Sequence, residues 1–196
     1  MTRLSEAISY AAQCHDGMLR KGTTLPYLVH PAEVVAIAAA LTDDEDVLCA
    51  AVLHDVMEDC GVTLEMLEAR FGRRTALLVE SETQVHSGDP RATWDIRKKN
   101  AVARIAVGDR ETKIIALSDK LSNMRAIRRD YDRYGDGLVL RFHQHDIRRH
   151  AWYYRSIVKL LEAELGDTQA WKELCLHVDY VFSSALADGE CEENAV

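Results

Sequence analysis

The densest chemistry in the chain lies in Leu53-His54-Asp55-Val56-Met57-Glu58-Asp59, where an imidazole adjoins one carboxylate and two more follow a helical turn later. Asp55, Glu58 and Asp59 stand at i, i+3 and i+4, so a helix puts all three on one face, where like charges repel unless a cation or bulk water lies among them. Val47, Leu48, Ala50, Ala51, Val52 and Leu53 make the rest of that helix apolar and predict its burial, which favours a bound divalent cation over solvent as the relief. Two distant segments offer further ligands. Pro26-Tyr27-Leu28-Val29-His30-Pro31 sets a histidine just before a helix start. The segment Ile114 to Arg125 puts Asp119 and Asn123 on one helical face, beside a buried stripe of Ile114, Leu117, Leu121 and Met124. His30, His54, Asp55 and Asp119 together form a two-imidazole, two-carboxylate set without thiolate, which suits Mn²⁺, Fe²⁺ or a catalytic Zn²⁺ better than a structural zinc. Singly, each has a plainer reading: His30 as a cap or core histidine, Asp119 as a surface acid, His54-Asp55 as a chance dipeptide.

The elements that must position these groups are helices. Apolar residues recur at helical spacing almost throughout, and two-residue alternation is scarce. Thr42-x-x-Glu45 predicts a capping box for the helix carrying His54, which Gly61 closes; Thr63 caps the next and Phe71-Gly72 ends it. Ser87 to Pro90 predicts a turn before a helix near Thr93 or Trp94, and Gly108-Asp109 separates that helix from one over about Glu111 to Arg128. A break at Tyr134 to Gly137, a long helix over Leu138 to Leu165 and a last one over Thr168 to Ala187 complete an all-α reading with about eight helices. The 196 residues fit one domain, 1–187, with an acidic tail over 188–196.

Composition narrows the function classes. With 24 Lys and Arg against 32 Asp and Glu, the net charge of −8 argues against DNA or RNA as the main partner, because such affinity comes from neutralising phosphates. No apolar run approaches the roughly 20 residues that cross a bilayer and the N-terminus lacks a signal-peptide core, so the expectation is a cytoplasmic protein without a membrane partner. Five scattered cysteines read as reduced thiols that fill the core. The charge is uneven, however. Thr42 to Ala69 holds nine carboxylates and no Lys or Arg, whereas Arg97 to Arg129 has ten bases against three acids. One wall for a cation and another for a polyanion would need this asymmetry, and so would ordinary solvated helix faces.

Arg20-Lys21-Gly22, Pro26-Tyr27 to His30-Pro31, His54-Asp55-x-x-Glu58-Asp59 and Asp119-Lys120-Leu121-x-Asn123-Met124-Arg125 occur in the order and at the spacing seen in the hydrolase domain of the RelA/SpoT alarmone enzymes. The chain resembles a stand-alone small alarmone hydrolase, the group that includes the animal Mesh-type enzymes, over about residues 1–165. That resemblance implies an all-helical HD-domain phosphohydrolase bundle with one Mn²⁺ held by His30, His54, Asp55 and Asp119, and Glu58 and Asp59 as the catalytic acidic pair. It also implies that Arg20 and Lys21 contact the nucleotide base and phosphates, with Asn123 near the ribose or 5′ phosphates. The substrate would be ppGpp or pppGpp, cut to GDP or GTP and pyrophosphate; a ppApp-type alarmone or NADPH is the enzymatic alternative, and a silent nucleotide-binding module the non-enzymatic one. A homo-oligomer is compatible with all of these.

Elementary chemistry fits the roles. A carboxylate near an activated water can take its proton, and an acidic pair at a helix C-terminus is electrostatically costly, which favours function there. A guanidinium can stack on a purine while an ammonium meets phosphate, although a basic helix end explains Arg20 and Lys21 equally well. From Arg97-Lys98-Lys99 and Arg104 only one or two side chains can face the site, and of Trp152-Tyr153-Tyr154 only Tyr153 or Tyr154 is a candidate wall residue. His143, His145 and His150 are not read as a second metal site. Two departures from the relatives, Gln84 in place of a Lys and the ambiguity between Arg148 and Arg149, touch substrate recognition and leave the metal set intact.

Overall fold

The apolar run Val47–Leu53 becomes α3 (Glu45–Leu53), whose inner residues from Cys49 to Leu53 are all buried. Around it the computed structural model, which describes residues 2–83, 89, 91–142, 144–183 and 185, builds α1 (Arg3–Cys14), α2 (Val29–Ala38), α4 (Val56–Cys60), α5 (Leu64–Phe71) and α6 (Arg73–Glu82). There follow α7 (Trp94–Val107), α8 (Arg110–Tyr134), a 3-10 helix over Gly135–Arg141, α9 (Ile147–Leu165) and α10 (Gln169–Val181). Among the described residues there is no strand; one isolated bridge, Leu19 to Pro26, pinches the loop between α1 and α2. The all-helical expectation holds, with ten α-helices among the described residues.

α8 is the axis. It packs chiefly against α10 and α2, and also against α3, α6, α7 and α9. Every residue from Thr112 to Ser122 is therefore buried, polar ones included. A helix surrounded in this way cannot show a simple amphipathic stripe, and its buried polar groups need partners. Trp171 Nε1 donates to the Val158 carbonyl at 2.9 Å and fastens α10 to α9.

Four local expectations change. The cap of α3 is Asp44, which accepts from Asp46 N at 2.9 Å, while Thr42 Oγ1 accepts from Asp44 N; the expected Thr42–Glu45 capping box does not form. The helix carrying His54 does not run on to Gly61: α3 ends at Leu53, and a separate five-residue turn, α4, starts after Asp55. Gly61 closes that turn at φ +67, a left-handed conformation that costs glycine little. The long helix expected from Leu138 starts only at Ile147, since Leu138–Arg141 belong to the 3-10 helix. Of the four described cysteines, only Cys49 is buried; Cys14, Cys60 and Cys175 are half-buried and free. The Ser87–Pro90 turn, Gln84, His143, Cys191 and the 188–196 tail lie mostly or wholly outside the described residues.

Much of the acid-rich segment is scaffolding. Arg74 makes a bidentate pair with Asp44 (2.9 and 2.7 Å) and reaches Asp46 at 3.0 Å and Glu111 at 2.6 Å, while Arg3 holds Glu45 and Asp46. These pairs fasten α3 to α1, α6 and α8.

Candidate metal centre and its cleft

His30 sits in the first turn of α2, His54 at the end of α3, Asp55 at the junction with α4, and Asp119 midway along α8. The packing of α2, α3 and α8 brings them together. The two imidazole centroids are 5.1 Å apart. His30 Nε2 lies 3.2 Å from Asp119 Oδ1 and 3.6 Å from Asp55 Oδ2; His54 Nε2 lies 3.0 Å from Asp55 Oδ2 and 3.8 Å from Asp119 Oδ1. One ligand atom each from His30, His54 and Asp55 falls within 4.8 Å of the others.

The opposite edge of each imidazole shows which nitrogen is offered inward. His54 Nδ1 is 2.9 Å from the Ala51 carbonyl, which only accepts, so Nδ1 carries a proton and Nε2 is the nitrogen whose lone pair a cation can take. That Nε2 is buried without a hydrogen-bond partner. A buried, orphaned imidazole lone pair facing carboxylate oxygens is a donor set that fits a divalent cation. A proton is the rival occupant. Burial opposes charge on His54, but Asp55 and then Asp119 overcome it and push the pKa up to about 9. For His30 burial wins and the pKa is lowered. Burial would raise Asp119, yet Lys120 beside it, helped by both histidines, holds it well below the usual carboxylate range; Asp55 is held low against burial by His54.

Around the four groups stand further partners, of which the sequence singled out Arg20 and Asn123 but gave Tyr27 and His15 no role. Tyr27 donates to Asp55 Oδ2 at 2.7 Å, with the His15 ring 4.8 Å from its own. Asn123 donates from Nδ2 to Asp119 Oδ1 at 2.6 Å and accepts at Oδ1 from Arg20 Nη2 at 3.3 Å, so Arg20 and Asn123 form one chain leading to Asp119. The presence of Pro26-Tyr27 in the quoted motif was the available signal for Tyr27; nothing in the sequence links Arg20 to Asn123, which lie 103 residues apart.

From His30 a cleft of about 460 Å³ opens outward. Arg20, Lys21, Arg97, Lys98 and Arg129 supply its cations; Tyr27, Trp94, Phe142, Tyr153 and Tyr154 supply aromatic walls. Lys98 Nζ stands 4.5 Å from the Tyr153 ring centroid. Arg97 and Lys98 are thus the members of the basic run that face the site, and Tyr153 and Tyr154 face it while Trp152 is exposed. Trp94, Phe142 and Arg129 were missed, because each comes from an element whose inward face only the tertiary packing decides. Arg148 and Arg149 pair instead with Asp146 and Asp95, outside the cleft lining. His150 is buried against Phe142 and Trp94 and bonds to the Gln144 carbonyl, while His145 lies beside Arg91.

Glu58 and Asp59 stand one turn after Asp55, outside the cleft lining, and here the electrostatic expectation is corrected. They are the third and fourth residues of the five-residue α4, which ends at Cys60, a single turn too short for its backbone dipole to weigh heavily against them. Asp59 is crowded all the same: loss of hydration, then the charges of Asp55 and Glu58, push its pKa up to about 6.

The HD domain family matches residues 7–136. A Vibrio cholerae guanosine-3′,5′-bis(diphosphate) 3′-pyrophosphohydrolase is 35% identical over 126 residues, 63% of this chain and 18% of that protein. The Escherichia coli bifunctional (p)ppGpp synthase/hydrolase SpoT is 34% identical over 127 residues, 64% of this chain and 18% of its own length. The chain thus spans less than a fifth of the curated relatives it matches. Among solved structures, one described as a metazoan ortholog of SpoT that hydrolyzes ppGpp and plays a role in starvation responses superposes with a TM-score of 0.71 at 26% identity, covering 94% of this chain and 96% of that one. A Listeria monocytogenes structure superposes with a TM-score of 0.67 at 26% identity over 79% of this chain.

Proposed function

The chain belongs to the HD domain family, and from that premise we propose that it is a metal-dependent phosphohydrolase that removes the 3′ pyrophosphate of ppGpp or pppGpp. The observation that carries the reading is the junction of two parts: a buried site with two inward-facing imidazole Nε2 atoms and two carboxylates, opening into a cleft with five cationic side chains and aromatic walls. A polyphosphorylated purine nucleotide needs both. The similarity to guanosine bis(diphosphate) 3′-pyrophosphohydrolases supports the guanosine compounds as substrates, and the superposition on the metazoan ortholog supports the same chemistry in a chain of this length.

In this reading His30, His54, Asp55 and Asp119 hold one Mn²⁺, and residues 1–187 act as one hydrolase domain. When bound, the cation acidifies a water and polarises a phosphoryl oxygen. The chain's own residues do the rest. One carboxylate of the Glu58–Asp59 pair accepts the attacking water's proton as the water oxygen bonds to the phosphorus carried on O3′; the P–O3′ bond breaks, the pair returns that proton to O3′, and GDP or GTP leaves with a 3′ hydroxyl while pyrophosphate is released. Tyr27 and Lys120 keep Asp55 and Asp119 oriented and ionised. Asn123 aligns Asp119 and carries Arg20 toward the nucleotide, while Lys21, Arg97, Lys98 and Arg129 neutralise its phosphates.

The test is metal analysis of the purified protein together with a rate panel over ppGpp, pppGpp, ppApp and NADPH with Mn²⁺. Pyrophosphate release from the guanosine compounds is expected. Turnover confined to ppApp or NADPH would move the substrate assignment, and tight ppGpp binding without cleavage after hours would replace the enzyme with a binding module.

A further inference from the structure

The two histidines of the centre are oriented by different means. His54 is fixed by a backbone carbonyl, a partner no side-chain substitution removes. His30 is fixed by side chains alone. Its Nδ1 lies 2.9 Å from Ser122 Oγ, and Ser122 Oγ lies 2.8 Å from Glu33 Oε2. Glu33 Oε1 accepts from Arg125 Nη1 at 3.0 Å, and Arg125 in turn grips both oxygens of Glu173 on α10, at 2.7 and 2.8 Å.

The proton count along this line is determined. A carboxylate engaged by a guanidinium only accepts, so the single Ser122 proton goes to Glu33. The Ser122 oxygen is then left to accept, and among the described residues the donor it faces is His30 Nδ1–H. His30 therefore carries its proton on Nδ1 and presents the Nε2 lone pair to the centre, the outcome that the Ala51 carbonyl imposes on His54. Glu33 touches no ligand atom of the centre; it acts through Ser122, which is wholly buried.

We propose that Glu33 is a positioning residue that, through Ser122, sets the tautomer and ring orientation of His30 for metal binding, and that Arg125 and Glu173 anchor this relay to α10. The inference rests on the reading of His30 as a metal ligand. Outer partners of ligating histidines typically contribute 10–100-fold in metal affinity. Glu173 lies beyond residues 7–136, so α10, which the family match does not reach, takes part in a centre that lies within it.

The full chain with Glu33→Ala, Ser122→Ala, Ser122→Thr and Glu173→Gln tests this by two measurements. Long-range proton–nitrogen NMR of the metal-free protein reports the tautomer of His30; calorimetry reports Mn²⁺ affinity. Glu33→Ala and Ser122→Ala are expected to reduce the Nδ1–H form of His30, to leave the His54 signals in place and to weaken Mn²⁺ about 10–100-fold. Ser122→Thr, which keeps the hydroxyl, should restore both, and Glu173→Gln should weaken Mn²⁺ by less than Glu33→Ala. An unchanged tautomer in Glu33→Ala, or equal weakening by Ser122→Thr and Ser122→Ala, would overturn the proposal. Should Glu33→Ala fail to fold, the Ser122 pair decides alone. If the wild-type chain binds no divalent cation, the metal reading fails, while the tautomer measurement still judges the relay.

Discussion

The floor of the site and its walls are built on opposite plans. On the floor each side chain is held from behind by a second partner: Ala51 for His54, Ser122 for His30, Tyr27 for Asp55, Asn123 and Lys120 for Asp119. The walls collect single side chains from the α1–α2 loop, α7, α8, the segment after the 3-10 helix, and α9. A preorganised floor suits chemistry that tolerates little misplacement; a wall of separate cations suits a flexible polyanion, where binding is a sum of modest terms.

That difference predicts how substitutions rank. His54→Ala and Asp119→Ala should each remove metal and turnover together, with a loss of kcat/KM of about 10⁴ or more, because a buried ligand set that loses one member leaves the others repelling. Metal content measured beside rate checks this. Glu58→Gln with Asp59→Asn should come next, lowering kcat about 10²–10⁴-fold with metal retained. Equal metal loss in both sets would erase the division between ligands and proton acceptors. Lys98→Ala should have the smallest kinetic effect, about tenfold and confined to KM, since it removes one phosphate partner from several. A kcat loss as large as that of Glu58→Gln would mean that the wall is as preorganised as the floor.

The same contrast explains what could be read from the sequence. Floor residues fall in short segments whose types could be read locally, His30 beside Pro31, His54 next to Asp55 and Asp119 one turn before Asn123, and the order and spacing of those segments joined them into one candidate metal set. The walls depend on which face of α7, α8 and α9 turns inward, and Trp94, Arg129 and Phe142 carried no local sign of it. The break between α3 and α4 was hidden because Leu53 and Val56 are both buried, so the apolar periodicity runs straight across it. Leu138 is fully buried for the same reason although it lies in the 3-10 helix, and its pattern imitates the start of α9. At Thr42-Asp43-Asp44-Glu45 several neighbours can cap, and the choice of Asp44 follows from Arg74, which approaches from α6. Glu33 and Ser122 were silent because each acquires meaning only when α2 lies against α8.

Two carboxylates from the acid-rich segment separate scaffold from chemistry by the sign of their pH dependence. Asp44 caps α3 and pairs with Arg74, which hold its pKa below the ordinary 3.8. Its contribution is present above pH 3.8 and is lost as the pH falls through the folded value. Asp44→Ala should therefore cost about 1 kcal/mol at neutral pH, mostly the lost cap, and the deficit should shrink in acid. Thermal unfolding at pH 7 and pH 3 measures it.

Asp59 behaves in the opposite sense. Its folded pKa is raised to about 6 from 3.8, so between those values the metal-free native state binds more protons than the unfolded chain, and stability falls as the pH rises. Above pH 6 the ionised Asp59 is a standing cost of crowding beside Asp55 and Glu58. Asp59→Asn removes it, and the metal-free variant should be more stable than wild type at pH 7.5, by on the order of 1 kcal/mol after allowance for solvent screening, with the gain vanishing below pH 4. A residue that destabilises the fold at working pH and whose removal abolishes turnover is retained for chemistry. If Asp59→Asn instead lowers the unfolding midpoint at pH 7.5, Asp59 belongs with Asp44 to the scaffold, and the proton acceptor is Glu58 alone.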